Sequence, residues 1–127
     1  LRDADLRGAD LCRANLCRAK LQGADLRGTD MSDDIPMVPD IDRRILDAIG
    51  PTGEFLDMGA WHTCETTHCR AGWAIHLAGE AGAKLEAAIG PAAAGALIYA
   101  RSRPGKRVPD FSADNHVALE SLREDAR

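Results

Sequence analysis

The sequence predicts an α+β chain in two parts: a repeat-built coil over residues 1–31 and a small all-α domain over residues 41–127, joined by a linker at 32–40. Three observations predict it. Leu1, Leu6, Leu11, Leu16, Leu21, Leu26 and Met31 recur every fifth residue. The stretch MSDDIPMVPD then breaks that register with turn formers and two prolines, Pro36 and Pro39. Beyond it, apolar residues fall at helical spacing between glycine and proline stops.

Set in fives from Ala4 to Met31, the opening reads ADLRG, ADLCR, ANLCR, AKLQG, ADLRG, TDM. Ala4, Ala9, Ala14, Ala19, Ala24 and Thr29 precede the large apolar residues by two. A period of five matches neither a helical stripe nor a plain strand, so the repeat itself sets the backbone path. These units resemble the pentapeptide-repeat family, whose pattern is A(D/N)LXX. The resemblance implies a short right-handed quadrilateral β-helix, with Leu6, Leu11, Leu16, Leu21, Leu26 and Met31 on its axis and Ala9, Ala14, Ala19 and Ala24 in the inner corners. The same partition has a physical reason. Stacked coils lie about 4.8 Å apart, so only a small side chain fits beside each large one inside the tube. Asp5, Asp10, Asn15, Lys20, Asp25 and Asp30 then face water, while Cys12 and Cys17 fall on successive sides and stay unbridged.

Six units make about one and a half coils, whereas solenoids need roughly three stacked units for a continuous core. The open end is therefore covered by preceding coils, by the C-terminal domain or by another chain, because an exposed β edge invites association. Since the chain opens at Leu1 inside a unit, the β-helix is expected to be truncated at its N-terminal end, with further residues ahead of it in the natural protein. The best-known activity of the family is mimicry of duplex DNA by long acidic β-helices. Residues 1–31 instead carry six positive and five negative side chains, which argues against that role.

Each helix of the second part has its own signals. Ile41, Ile45, Ala48 and Ile49 share one face, Asp40 stands at the start as a cap, and Gly50-Pro51 ends the run. A second helix is predicted from about Thr67 to Ala78, with Cys69, Trp73 and Leu77 at i, i+4 and i+8. A third runs from about Glu80 to Gly90 and buries Ala81, Leu85 and Ile89. Pro91 suits the first turn of a fourth, carrying Ala94, Leu97 and Ile98. Ser112 or Asp114 caps a fifth, with Val117, Ala118 and Leu122 as its apolar face. The pairing of the repeat with WHTCETTHCRAGWAIHLAGEAG resembles proteins of phages and prophages over residues 35–125, a likeness that implies a bacterial or phage setting and no reaction.

Chemistry concentrates in WHTCETTHCRAGW, residues 61–73. His62, Cys64, His68 and Cys69 are legitimate zinc ligands, but structural sites usually take two pairs set further apart. A Cys64 to Cys69 disulfide would close a very short loop and gain little. Cys69 as a nucleophile would sit in the first helical turn, where the dipole lowers a thiol pKa, with His62 or His68 as base. That arrangement is similar to cysteine peptidases, whose histidine arrives much later on a sheet; this chain offers only His76 and His116, both on predicted helices. The remaining reading is structural. A threonine, Thr63, Thr66 or Thr67, caps the helix, Cys69 and His76 pack in the core, Trp61 and Trp73 anchor loop and helix, and Arg70 offers a charged fork to a carboxylate or a partner.

Charge and composition narrow the function. A net charge of -4 and the absence of a basic block interleaved with aromatics argue against direct nucleic-acid binding. Arg101, Arg103, Lys106 and Arg107, broken by Ser102, Pro104 and Gly105, read as a solvated loop. The longest apolar run, Ala92 to Ala100, is too short to span a membrane and no signal peptide opens the chain, so a cytoplasmic location is expected. The expectation is a non-enzymatic protein-interaction module with a protein partner, possible homo-oligomerisation through the open coil end and no cofactor. The alternative is a thiol or zinc enzyme centred on Cys64, His68 and Cys69.

Overall fold

Among the described residues, seven elements follow one another as α1 (Ile41–Ala48), β1 (His62–Cys64), β2 (Thr67–His68), α2 (Arg70–Leu77), α3 (Gly79–Ile89), α4 (Pro91–Ser102) and α5 (Asn115–Asp125). The computed structural model describes Asp5 and residues 35–50, 53–56, 58, 62–64, 67–103, 106–109, 111 and 114–126, with the backbone alone at 62–64 and 67–68. The axial leucines, Met31, the inner alanines, Cys12, Cys17 and Trp61 lie outside the described residues, as do the side chains of His62, Cys64 and His68. Asp5 is exposed.

α4 is the centre of the helical domain. Pro91 sits at its first position behind Gly90, whose φ of 91° lies in the region that favours glycine, and every residue from Ala93 to Ala100 is buried. A helix apolar all round must be surrounded. α2 and α3 pack on it, and α1 packs on α5 and α2. α2 and α4 meet without a gap: a Cβ placed on Gly95 would stand 2.7 Å from the Ala71 Cβ. Ile41, Ile45 and Ile49 of α1, Ala74 and Ile75 of α2, Leu97 and Ile98 of α4, and Ala118 and Leu122 of α5 fill one core.

Five helices stand where the spacing predicts them, but three details differ. Asp40 occupies the cap position of α1 at φ 52°, ψ 43°, and its side chain makes no cap hydrogen bond. A capping side chain acts from extended backbone, and left-handed Asp40 is turned away from that geometry. The chain before α1 is held instead by the Val38 N–H, which donates to Ser102 Oγ at 2.8 Å.

The second difference is a two-stranded antiparallel hairpin, β1 on β2, with His62 opposite His68 and Cys64 opposite Thr67. It takes residues 67 and 68 from the predicted helix, so α2 begins at Arg70 and "all-α" becomes five helices with one hairpin. The third concerns α3, where only Gly82 is fully buried; Ala81 is exposed and Leu85 and Ile89 are half-buried. A Cβ at Gly82 would collide with the Ile75 carbonyl, so close approach at Gly82 turns that face inward and the Ala81 face outward. Among the described residues no helix is long and apolar enough to cross a membrane.

Candidate functional site

The start of α2 places two adjacent residues of opposite character. Cys69 is its N-cap, in extended conformation at φ -72°, ψ 175°, and its Sγ accepts a hydrogen bond from the Gly72 N–H at 3.3 Å. Sulfur thus does the work of the threonine expected there, by the geometry that serines use. Cys69 is only 2% exposed and is not in a disulfide. Trp73, one turn on, is buried and donates from Nε1 to the Phe55 carbonyl at 2.9 Å, while His76 is exposed and sets its ring edge-on to Trp73 at 5.4 Å. The expectation of a core His76 is corrected by this: at the last turn of a short α2 its ring lies outside the core face.

Arg70, next in the chain, is the largest fully buried side chain among the described residues. Its fork reaches four groups from three helices. Nε donates to Tyr99 Oη at 2.9 Å, one terminal nitrogen to Ser121 Oγ at 2.9 Å, and the other to Asp42 Oδ1 at 2.8 Å and Asp125 Oδ2 at 2.9 Å. Tyr99 Oη in turn donates to Asp42 Oδ1 at 3.0 Å. Arg103 closes the other side: one terminal nitrogen donates to Asp42 Oδ2 at 3.0 Å and to Asp125 Oδ2 at 2.9 Å, and the second to the Arg107 carbonyl at 2.6 Å. Both guanidinium carbons lie near the Tyr99 ring, that of Arg103 at 4.9 Å and that of Arg70 at 5.3 Å from its centroid. Two arginines against two aspartates balance the buried charge, which is what makes such a cluster tolerable away from water.

The electrostatics follow from that geometry. Burial works against the Arg70 charge, but Tyr99 and Asp42 outweigh it and hold the guanidinium above the ordinary arginine range. Burial drives the Tyr99 hydroxyl upward, Asp42 adds to this, and Arg70 opposes it, so Tyr99 stays a neutral donor. Partial burial resists ionisation of Asp125, yet the Arg70 hydrogen bond and the Arg103 charge prevail and hold its carboxyl below the usual aspartate value.

A cleft of about 380 Å³ opens beside the cluster, where the start of α1 (Asp40, Arg43) meets the ends of α4 (Ser102, Arg103) and α5 (Asp125, Ala126), with Lys106 at the rim. Two of its three carboxylates are already held: Asp42 and Asp125 by the arginines, and Asp125 also by Lys106 at 3.8 Å, while Asp40 is exposed. Ser102 Oγ accepts from Val38 and Arg43 donates to the Ala126 carbonyl at 3.2 Å. The Nε of Arg103 is buried and has no hydrogen-bond partner among the described residues. The ion pairs and hydrogen bonds named here hold the ends of α1, α4 and α5 together.

The sequence reading found the Arg70 fork but not its partners, and it placed Arg103 in a solvated loop. In the structure the Arg103 side chain is 10% exposed, while Lys106 and Arg107 beyond it do face water. A signal was present: Tyr99 and Arg103, and Ser121 and Asp125, are each spaced four apart, which sets each pair on one helical face. Of the candidate cluster, the hairpin register brings the backbones of His62 and His68 face to face and puts Cys64 two residues along.

The comparisons bear on the other end of the chain. The family model for pentapeptide repeats matches residues 1–33, in eight copies. No curated protein and no solved structure matches the chain. The chain therefore carries pentapeptide repeats ahead of a five-helix domain.

Proposed function

We propose that this chain is a non-enzymatic protein-interaction module of a bacterial or phage-infected cytoplasm, in which residues 1–31 form a short right-handed quadrilateral β-helix. Its flat sides meet a protein partner. The observation that carries this reading is the unbroken five-residue register from Leu1 to Met31, which the pentapeptide-repeat match spans. The helical domain supports it from the other side. Its buried arginines and aspartates bond to one another, and the Cys69 sulfur is engaged as a cap rather than presented to a cleft. Photo-crosslinking from outward positions Arg7 and Arg27 in the native host tests the proposal. A single protein captured from wild type and from Cys69→Ser, and lost when Leu16→Asp breaks the coil axis, is the expected result; an enzymatic turnover abolished by Cys69→Ser would overturn it.

One observation favours a second reading, a zinc or thiol site at Cys64, His68 and Cys69, with His62 as a further ligand or base. The hairpin gathers these four residues within two rungs of sheet and the cap that follows. Native mass spectrometry of protein purified without chelator decides the metal: one zinc that disappears in Cys64→Ser establishes the metal site, and an apo mass removes zinc and leaves a reactive Cys69 or a packed helix start.

A further inference from the structure

α1 begins without a cap, and it begins in the cleft. Asp40, Ile41, Asp42 and Arg43, the cap position and first turn of α1, form one wall of that 380 Å³ space. The Asp40 side chain makes no cap hydrogen bond, and among the described residues no group accepts from the N–H of Ile41, Asp42 or Arg43. First-turn N–H groups point out of the N-terminal end of a helix and carry the positive end of its dipole, so they favour an anion there. We propose that this cleft binds a phosphate group, held by the open first turn of α1 together with Arg43, Arg103 and Lys106. The site lies within the helical domain and stands whether or not the repeat forms a β-helix.

An independent observation on the facing wall points the same way. The Arg103 side chain lines the cleft and is only 10% exposed, with one terminal nitrogen on Asp42 Oδ2 at 3.0 Å, yet its buried Nε has no hydrogen-bond partner among the described residues. An unmet buried donor is costly, and an oxyanion seated against the first turn supplies the acceptor. The surrounding charge admits one. Asp42 and Asp125 are each bonded to both Arg70 and Arg103, which neutralises the pair. That leaves Arg43 and Lys106, both exposed, against the single carboxylate of Asp40. Arg43 spends one nitrogen on the Ala126 carbonyl at 3.2 Å and Lys106 reaches Asp125 at 3.8 Å, so each is tethered at the cleft with donors to spare. A phosphate suits this set better than a carboxylate, because its several oxygens can meet helix N–H groups and cations on different walls, and its second negative charge offsets Asp40. The volume falls in the range of small-ligand pockets, about 300–1,000 Å³, which leaves room for a monoester as well as the free ion.

Titration of the 15N-labelled full chain with inorganic phosphate at constant ionic strength tests this, with acetate as the monoanion comparison. The amide signals of Ile41, Asp42 and Arg43 and the Nε–H of Arg103 are expected to shift along one saturating curve, and acetate to act roughly fivefold more weakly or less. Arg43→Gln and Lys106→Gln should each weaken phosphate by about fivefold. Asp40→Asn, which removes the like charge, should tighten it, and Arg44→Gln, at an exposed arginine that does not line the cleft, should stay within about twofold. All four positions are exposed, so unchanged signals from α4 in each variant confirm that the fold is kept. A glycerol phosphate that binds as tightly as the free ion assigns the site to monoesters, and one that binds more weakly assigns it to phosphate itself. First-turn signals that ignore phosphate throughout the titration overturn the proposal. So does an equal response to acetate, which would be general screening, or an equal loss in Arg43→Gln and Arg44→Gln, which would place the effect in diffuse surface charge rather than in the cleft.

Discussion

α3 and α4 are neighbours in sequence, similar in length and both rich in alanine, yet α4 buries an unbroken run from Ala93 to Ala100 while α3 fully buries only Gly82. The difference is not in hydrophobicity as such. Alanine makes a helix that another backbone can approach closely, and what the approach is worth depends on what arrives. On α4, Ala71 of α2 meets Gly95, Tyr99 reaches the Arg70 fork, and Arg103 closes the ion cluster from the last turn. On α3, the close contact is spent at Gly82 against Ile75, and Ala81 and Ala88 line an open groove. Small residues set how near two elements can come; the large and charged residues among them decide which face is the core.

The sharpest way to break that comparison is to remove what fixes α4. Arg70→Met leaves Asp42 and Asp125 sharing one arginine in a buried cluster, and such a loss costs about 3–5 kcal/mol. Urea unfolding should read that drop, and Arg70→Met combined with Asp42→Leu should recover most of it, because the remaining Arg103 and Asp125 again balance. If the single variant unfolds within about 1 kcal/mol of wild type, the cluster is ornamental and α4 is held by apolar packing alone. A smaller effect is expected from bulk. Gly95→Leu drives a side chain into Ala71 and costs about 1–3 kcal/mol, while Ala87→Leu on the exposed side of α3 stays within about 0.5 kcal/mol.

How much of this was legible follows the same line. The five helices were readable because their stops are chemical: Gly50-Pro51, Gly79, Gly90-Pro91 and the Asp114 cap, whose side chain accepts from the Val117 N–H at 2.9 Å. The apolar positions of α4 and α5 were readable too, except Val117, which is 53% exposed at the first turn of α5. The hairpin was hidden because His62–Cys64 and Thr67–His68 are too short to show alternation. The ion cluster was hidden for a different reason. Its members come from positions 42, 70, 99, 103, 121 and 125; the pairs 99/103 and 121/125 share helical faces, but their pairing with Asp42 and Arg70 across the chain leaves no local period. The orientation of α3 turned on one glycine, Gly82, whose meaning depends on a carbonyl seven residues away in another helix.

Acid sharpens the ion cluster's share of the contrast without any change to packing. The Asp125 carboxyl is held below its ordinary value in the folded chain, so the stability it contributes is complete above the unfolded value of about 3.9. It is lost as pH falls through the lower folded value, because the unfolded chain takes up that proton first. Wild type should therefore lose stability steadily below about pH 4, and Asp125→Asn should start lower and fall less steeply over that range. Parallel curves for the two proteins would show that Asp125 is no better solvated by its arginines than by water.

The finest difference lies where α2 begins, since both α3 and α4 pack on that helix. Cys69 does two things there: its sulfur accepts from the Gly72 N–H and its body fills a buried site. The two contributions separate by substitution. Cys69→Ala keeps most of the volume and removes the acceptor, and because sulfur accepts weakly the cost should sit near the low end of the capping range, about 0.5–1 kcal/mol. Cys69→Ser restores a stronger acceptor in the same geometry but buries a hydroxyl, whose own proton then needs a partner, so the two changes should nearly cancel and leave stability within about 0.5 kcal/mol of wild type. Serine more stable than alanine identifies the cap as the reason for a polar atom at residue 69. Alanine equal to or better than serine identifies apolar packing instead, and α2 would then be started by the Arg70 fork alone.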